Sequence, residues 1–134
     1  MFHVIRSANR TSGVAQNFTF ELTHPINDIV SIELIEANIP THATSYYHIK
    51  ISQLHNQVMN HNGFTNYSTF IIPHHHGGVP ASATEYTKNH EFEQIIIMDR
   101  LSVNVLNIQL CGDNGQPIAG ASDWSMILKI KQDH

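Results

Sequence analysis

Cysteine is nearly absent from this chain of 134 residues. Cys111 is the only one, so no intrachain disulfide can form, and we expect a buried apolar thiol at the end of a strand. Long apolar runs are absent too. Residues 1–5 are shorter than the apolar region of a secretory signal peptide, and no segment approaches the length that spans a membrane. We therefore expect synthesis in a reducing, intracellular compartment and no membrane insertion.

Charge is also scarce. Charged residues make up 13% of the chain, about half the usual share. Seven Lys and Arg residues against eleven Asp and Glu residues give a formal net charge of −4, without a basic stripe. Direct binding of nucleic acid therefore has no electrostatic support. A polar surface with few charges favours packing against copies of the same chain, because few charges must be desolvated, and it suits a sugar-binding surface equally.

Two-residue alternation of apolar and polar side chains is what the chain has in abundance, and it is typical of strands with one buried face. An apolar share of 41% is enough for one core, so residues 1–134 are predicted to form a single domain. The predicted strands include residues 18–22, 29–37, 47–51, 67–72, 90–99, 101–105 and 124–131. About eight short strands and at most one short helix, near residues 82–88, indicate an all-β antiparallel sandwich, jelly-roll-like in architecture.

Three local signals refine this prediction. Residues 23–25 interrupt the alternation and are expected to separate two strands. The alternation changes phase at Leu106, which indicates a bulge or a strand that crosses between sheets. Asn114 and Gly115 are the dipeptide that suits a type I′ hairpin turn.

Both ends of the chain resemble a known group of proteins. Residues 5–10 are a polar segment that contains arginine and precedes the first clear strand. Residues 17–22 hold the strand Phe-Thr-Phe-Glu-Leu, and residues 25–40 end in Ala-Asn-Ile-Pro. Residues 106–110, 113–118 and 122–130 look like a closing hairpin. This pattern resembles the small single jelly-roll virion proteins of large double-stranded DNA viruses and some phages. Residues 53–89 have no counterpart in the resemblance.

The resemblance implies a structural virion protein: a penton or minor capsid protein, or a vertex component. Such proteins assemble as rings or trimers, so the implied partners are other copies of the chain, as a trimer or pentamer, and other virion proteins. They are not enzymes. The residues agree, because no Gly-x-Ser-x-Gly elbow occurs, and Glu33, Glu36, Glu91 and Glu93 are more simply explained as outward charges on strands.

The eleven histidines are the one feature of the sequence that points to metal binding or to a response to pH. In an extended chain His74 and His76 would project to one side and His75 to the other. The pair could therefore share a Zn or Ni ion, completed by symmetry copies. Alternatively the triplet is an exposed, solvated loop. A third hypothesis is a pH sensor, in which clustered imidazoles at an oligomer contact repel one another when protonated.

The candidate contact residues lie mostly in loops. The predicted assembly or binding residues are Arg6, Arg10, His55, Asn60, His61, Phe64, Tyr67 and His75. Arginine can donate to carboxylates or carbonyls, and so fix a loop or a neighbouring subunit. Tyr46, Tyr47 and Trp124 could join Phe64 and Tyr67 in a platform for sugars, although a lone Trp more often packs in a core. The alternative function is therefore a receptor- or glycan-binding head with residues 53–66 and 74–79 as its contact loops.

Overall fold

The computed structural model describes residues 1–40, 46–54, 56–59, 65–73, 83–87 and 94–133, with residues 56–59, 65–68, 73, 83–87 and 97–99 described by their backbone. The strands are β1 (Phe2–Arg6), β2 (Ser12–Val14), β3 (Asn17–Pro40), β4 (Tyr46–Ile51), β5 (Asn56–Met59), β6 (Thr65–Ser68), β7 (Phe70–Pro73), β8 (Ala83–Thr87), β9 (Ile95–Cys111) and β10 (Ser125–Gln132). A single 3-10 turn, Ser7–Asn9, follows β1. No α-helix occurs among the described residues.

Eight strands form one antiparallel sheet that curls as a half-barrel. Along the sheet the order is β1-β10-β3-β9-β4-β7, while β2 and β8 pair with further parts of β3. Strands β5 and β6 form a separate two-stranded sheet. The predicted all-β antiparallel fold is confirmed. Its centre is β3, which is long enough to pair with four other strands.

The core lies on the face of the sheet to which the predicted alternation directs apolar side chains. The side chains of Trp124, just before β10, and of Met126, Leu128 and Ile130 on β10 are buried, whereas Lys131 is exposed. On β4 the apolar residues 47, 49 and 51 are fully buried. Burying one large aliphatic side chain stabilises the fold by about 1.5–3 kcal/mol, so these strands hold the half-barrel together. Cys111 is buried as predicted.

The interruption at residues 23–25 does not end a strand, so the prediction of two separate strands is wrong. β3 runs on to Pro40, and its register against β9 shifts between Glu21 and Ile26 and again before Ile29. Extra residues on one strand are accommodated by a bulge, which leaves the backbone extended but alters the pairing. The phase change in β9 lies opposite this bulge, because Val105 pairs with Glu21 and Val103 with Ile26. The phase change therefore corresponds to a bulge, the first of the two alternatives, but the extra residues lie on β3 and not on β9.

Three other predictions are wrong. Residues 83–87 form β8 instead of a helix, because they continue the pairing of β3 beyond the point where β9 leaves it. β9 and β10 do not form a closing hairpin, because β3 lies between them. The turn at Asn114 is not type I′, which needs positive φ at both central residues. Only Gly115 there has positive φ, at 74°, and its N–H donates to the Gly112 carbonyl at 2.9 Å.

Candidate functional site

The first strand, β1, forms one edge of the large sheet, and among the described strands it pairs with β10 alone. The N–H of Ile130 donates to the Met1 carbonyl at 2.8 Å, and the N–H of Ser7 donates to the Trp124 carbonyl at 2.9 Å. Odd-numbered residues of β1 therefore direct their backbone groups at β10. Because this direction alternates along an antiparallel strand, Phe2, Val4 and Arg6 direct theirs away from the sheet. We call these three residues the open edge.

The side chains of the open edge are exposed as well. Phe2 is 64% exposed, Val4 is 52% exposed, and Arg6 is also exposed, whereas Ile5 between them is 2% exposed. Within the described ranges no hydrogen bond reaches the backbone groups of Phe2 and Val4 that face away from β10, whereas the carbonyl of Arg6 begins the 3-10 turn Ser7–Asn9. An apolar edge strand with unpaired backbone groups is a template on which another strand can pair. This strand is therefore the candidate assembly site.

The opposite edge of the sheet, β7, is closed by a side chain. The Ile71 N–H donates to Gln94 Oε1 at 2.7 Å, and Gln94 Nε2 donates to the Ile71 carbonyl at 2.7 Å. The amide of Gln94 thus occupies the place that a peptide group of a neighbouring strand would take. Ile71 is 40% exposed, so its side chain alone would not protect this edge. The two edges therefore differ in their capacity to pair.

A polar corner beside β1 fixes the end of that strand. Ser7 Oγ donates to Asp123 Oδ1 at 2.9 Å and accepts from the Trp124 N–H at 2.8 Å. Arg10 donates to the Ser7 carbonyl at 2.9 Å and forms a 3.1 Å ion pair with Asp123. Arg10 also donates to the Gly13 carbonyl at 3.0 Å. The arginine therefore connects the segment after β1 to the loop before β10, as the sequence suggested an arginine could do within or between chains.

The predicted aromatic platform does not form as proposed. Tyr47 is fully buried and Trp124 is 4% exposed, so neither can stack on a sugar. Trp124 Nε1 donates to the Ala15 carbonyl at 2.8 Å, and the ring packs edge-on against Phe18 with centroids 6.0 Å apart. Both residues belong to the core because their polar atoms find partners there. Of the described aromatics predicted for the platform, Tyr46 is the exposed one, at 37%.

Tyr46 belongs to a small polar cluster at the start of β4. Its ring lies edge-on to the His48 ring with centroids 4.9 Å apart, and its N–H donates to Asp113 Oδ1 at 3.1 Å. Nearby, Lys50 Nζ donates to the Gly115 carbonyl at 2.8 Å. Burial, and secondarily Lys50, lowers the pKa of His48, while Asp113 acts in the opposite direction. Burial likewise raises the pKa of the Cys111 thiol, so Cys111 is a poor nucleophile.

Most of the predicted loop residues lie outside the described residues. These are His55, Asn60, His61, Phe64, His74, His75 and His76, together with Glu91 and Glu93. Tyr67 lies on β6, where the backbone alone is described. In the part of the chain that is described, no three His, Cys, Asp or Glu side chains gather in a group that could hold a metal ion. The predicted Zn or Ni site at His74 and His76 stays a prediction.

One residue was misjudged from the sequence, and one surface was largely missed. Glu33 was expected to be an outward charge, but it is 8% exposed, in register with Lys129 of β10 and Ile95 of β9. A neighbour on each side removes most of its contact with water. The open edge was predicted only through Arg6. The apolar side chains of Phe2 and Val4, two positions apart, could have indicated a strand, but not its place at an edge of the sheet.

No model of a protein family matches the chain, and no curated protein matches it. The resemblance to virion proteins therefore stays a prediction. Among the described residues, none of the helical segments is both long and apolar enough to cross a membrane.

Proposed function

We propose that this protein is a structural component of a virion shell or vertex, and that it acts by assembling with other copies of itself instead of by catalysis. The observation that carries this proposal is the open edge of β1, where apolar side chains and unpaired backbone groups occur together. The placement in a virion comes from the resemblance of residues 5–40 and 106–130 to small jelly-roll virion proteins.

The surface supports association in a second way. Charged residues are 13% of the chain, so two copies can approach while few ionic groups lose their water.

The polar corner beside β1 also supports association. Ser7, Arg10 and Asp123 hold the end of β1 by side-chain contacts, so a partner would meet a strand that is already ordered. Ordering the strand in advance lowers the entropic cost of binding.

Sedimentation velocity of the full chain, from micromolar to millimolar concentration, tests the proposal. We expect the weight-average mass to rise above that of one chain as the concentration increases. Antibody labelling of purified particles of the virus that encodes the chain tests its placement in the virion. A chain that stays monomeric throughout, and that the antibody does not find in particles, would overturn the proposal.

A second candidate function, a glycan-binding head, is favoured by one observation. Tyr46 is 37% exposed beside the His48 ring, and its backbone N–H donates to the Asp113 carboxylate, so an exposed aromatic side chain and polar groups occur together at the start of β4. Sugars are often bound by such combinations, which offer stacking and hydrogen bonding together. Titration of a glycan array tests this function. Saturable binding that Tyr46→Ala removes and Phe2→Ala leaves unchanged would support it, and no binding by the parent chain would exclude it.

A further inference from the structure

We infer that two copies of this chain join through their β1 strands, antiparallel about a two-fold axis at Val4, so that Phe2 of each copy lies opposite Arg6 of the other. This inference rests on the proposed self-assembly and specifies the contact. The two large sheets would then continue into one another across the axis. The partner is a second copy because the open edge is complementary to itself, as the backbone and the side chains show in turn.

The backbone supplies the first part of the argument. Phe2, Val4 and Arg6 direct their N–H and C=O groups away from β10, since the odd-numbered residues use theirs within the sheet. In an antiparallel pair, residues that face each other with such groups exchange two hydrogen bonds. Pairing about Val4 places Phe2 opposite Arg6 and Val4 opposite Val4 in both copies. It gives partners to Phe2, to Val4 and to the N–H of Arg6, and the Arg6 carbonyl, which begins the 3-10 turn, can accept a second hydrogen bond. A shifted register would leave some of these groups unpaired.

The side chains supply the second part. A two-fold axis at Arg6 would place two guanidinium groups opposite each other, which is unfavourable for directly opposed residues. An axis at Val4 instead places each Arg6 opposite a Phe2 ring, where the cation can lie against the aromatic face. Two β-branched valines meet at the axis, a combination that packs well across strands. The register that satisfies the backbone therefore also avoids like charges.

The contact is small, and its size sets the expected affinity. β1 has five residues, so the pairing buries less than the roughly 1,000 Å² that a stable interface needs. We therefore expect a weak dimer, with a dissociation constant in the micromolar range or above. Within a shell, further contacts of each copy would raise the effective concentration, and a weak pairing would then suffice.

A matched pair of valine variants tests where the contact lies. Val4→Lys places two ammonium groups opposite each other at the axis, whereas Val14→Lys makes the same change on β2, where the parent valine is 50% exposed against 52% for Val4. We expect Val4→Lys to raise the dissociation constant by at least about tenfold, and Val14→Lys to leave it unchanged. Thermal unfolding of dilute samples shows whether both variants fold.

A second pair of variants tests the register. Phe2→Glu would face Arg6 of the second copy as an ion pair and should keep or strengthen the dimer, although it removes an aromatic ring. Phe2→Lys would face the same arginine and should weaken the dimer. This pair also keeps the inference testable if Val4→Lys fails to fold.

Each outcome bears on a different claim. A parent chain that associates and responds to the Val4 and Phe2 variants as described supports the inference. The parent chain could associate with an affinity that Val4→Lys does not change, or that Val14→Lys lowers as much as Val4→Lys does. Either result overturns the β1 contact but leaves the proposed self-assembly intact. Equal effects of Phe2→Glu and Phe2→Lys overturn the register. A parent chain that never associates overturns both the inference and the proposed self-assembly.

Discussion

The hydroxyl of Ser7 joins two parts of the chain that are more than a hundred positions apart. It is 1% exposed, donates to Asp123 and accepts from the N–H of Trp124. Ser7→Ala would leave that N–H without its partner, and a buried unsatisfied donor costs about 1–3 kcal/mol. We expect the free energy of unfolding, measured in urea, to fall by this amount. Ser12→Ala, at an exposed position of β2, should change it by less than about 0.5 kcal/mol, and equal losses in the two variants would contradict the assignment.

His48 makes stability depend on pH. Burial and Lys50 lower its pKa from the ordinary value of 6.5, so the folded protein binds the proton less readily than the unfolded chain. The unfolded state then holds more protons as the pH falls below 6.5, and the free energy of unfolding must decrease until the pH passes the lower, folded pKa. The pKa of His3 is lowered as well and adds to the same trend.

The His48→Gln variant isolates this contribution. Its free energy of unfolding should decrease less steeply than that of the parent chain when urea titrations are compared over the weakly acidic range. A His48→Gln curve parallel to the parent curve would show that His48 does not contribute.

Single residues were predictable from the sequence where their environment is set by alternation. Trp124, Met126 and Leu128 are buried as their spacing indicates, because a strand presents every second side chain to the same face. Ser7 and Glu33 were not predictable, because their burial depends on strands that are distant in sequence. A sequence shows which face a side chain takes, but not what lies against that face.

Among the strands, the bulged part of β3 shows the same limit at a larger scale. Asp28 has a φ of 53° and Arg100 a φ of 50°, so both strands depart from extended geometry beside the Ile29–Leu101 pair. The ion pair between Arg100 and Asp133, together with the bond from the Asp133 N–H to the Asp28 carbonyl, joins the segment after β10 to this point. Residues 23–25 read locally as a break, but β3 pairs with β9 on both sides of them. Local turn signals alone therefore predicted the wrong boundary.

The β2–β3 hairpin depends on a glycine. Gly13 has a φ of 97°, and a Cβ there would overlap the Asn17 carbonyl and come within 2.9 Å of the Phe18 Cα. Gly120 has a φ of 67°, but a Cβ there would meet nothing within 4 Å. Gly120→Ala should therefore cost only the conformational strain, about 1–2 kcal/mol, and Gly13→Ala should cost more because the backbone must also move. Urea unfolding measures both variants, and a smaller loss for Gly13→Ala would contradict this explanation.

For the whole molecule, the fold class followed from alternation, but the strand order did not. The resemblance to jelly-roll virion proteins implied that β9 and β10 form a closing hairpin. The structure instead inserts β3 between them. That order makes β1 an edge, and the candidate assembly site follows from it. An edge is a property of the complete sheet, so Phe2 and Val4 could be predicted as strand residues but not as a contact surface.

The number of open edges determines how far assembly can proceed. Along the described path from β1 to β7, Gln94 closes β7 and leaves β1 as the open end, and pairing of β1 about a two-fold axis stops at the dimer. Gln94→Ala would free the N–H and C=O of Ile71, whose side chain is 40% exposed, and so give each chain a second pairing edge. Chains with two pairing edges can add to one another without limit. We therefore expect this variant to form species larger than the dimer, in a distribution that broadens with concentration, as seen by sedimentation velocity and light scattering.

The control for this variant is Gln53→Ala. The Gln53 side chain also accepts from a backbone N–H, that of Asn107 at 3.0 Å, but Asn107 lies on β9 in the interior of the sheet. Losing that bond removes one contact without creating an edge, so the variant should sediment like the parent chain. If Gln94→Ala also sediments like the parent chain while remaining folded, then β7 is closed by something other than this amide. Larger species from both variants would instead indicate general destabilisation, because partly unfolded chains aggregate whichever strand is exposed.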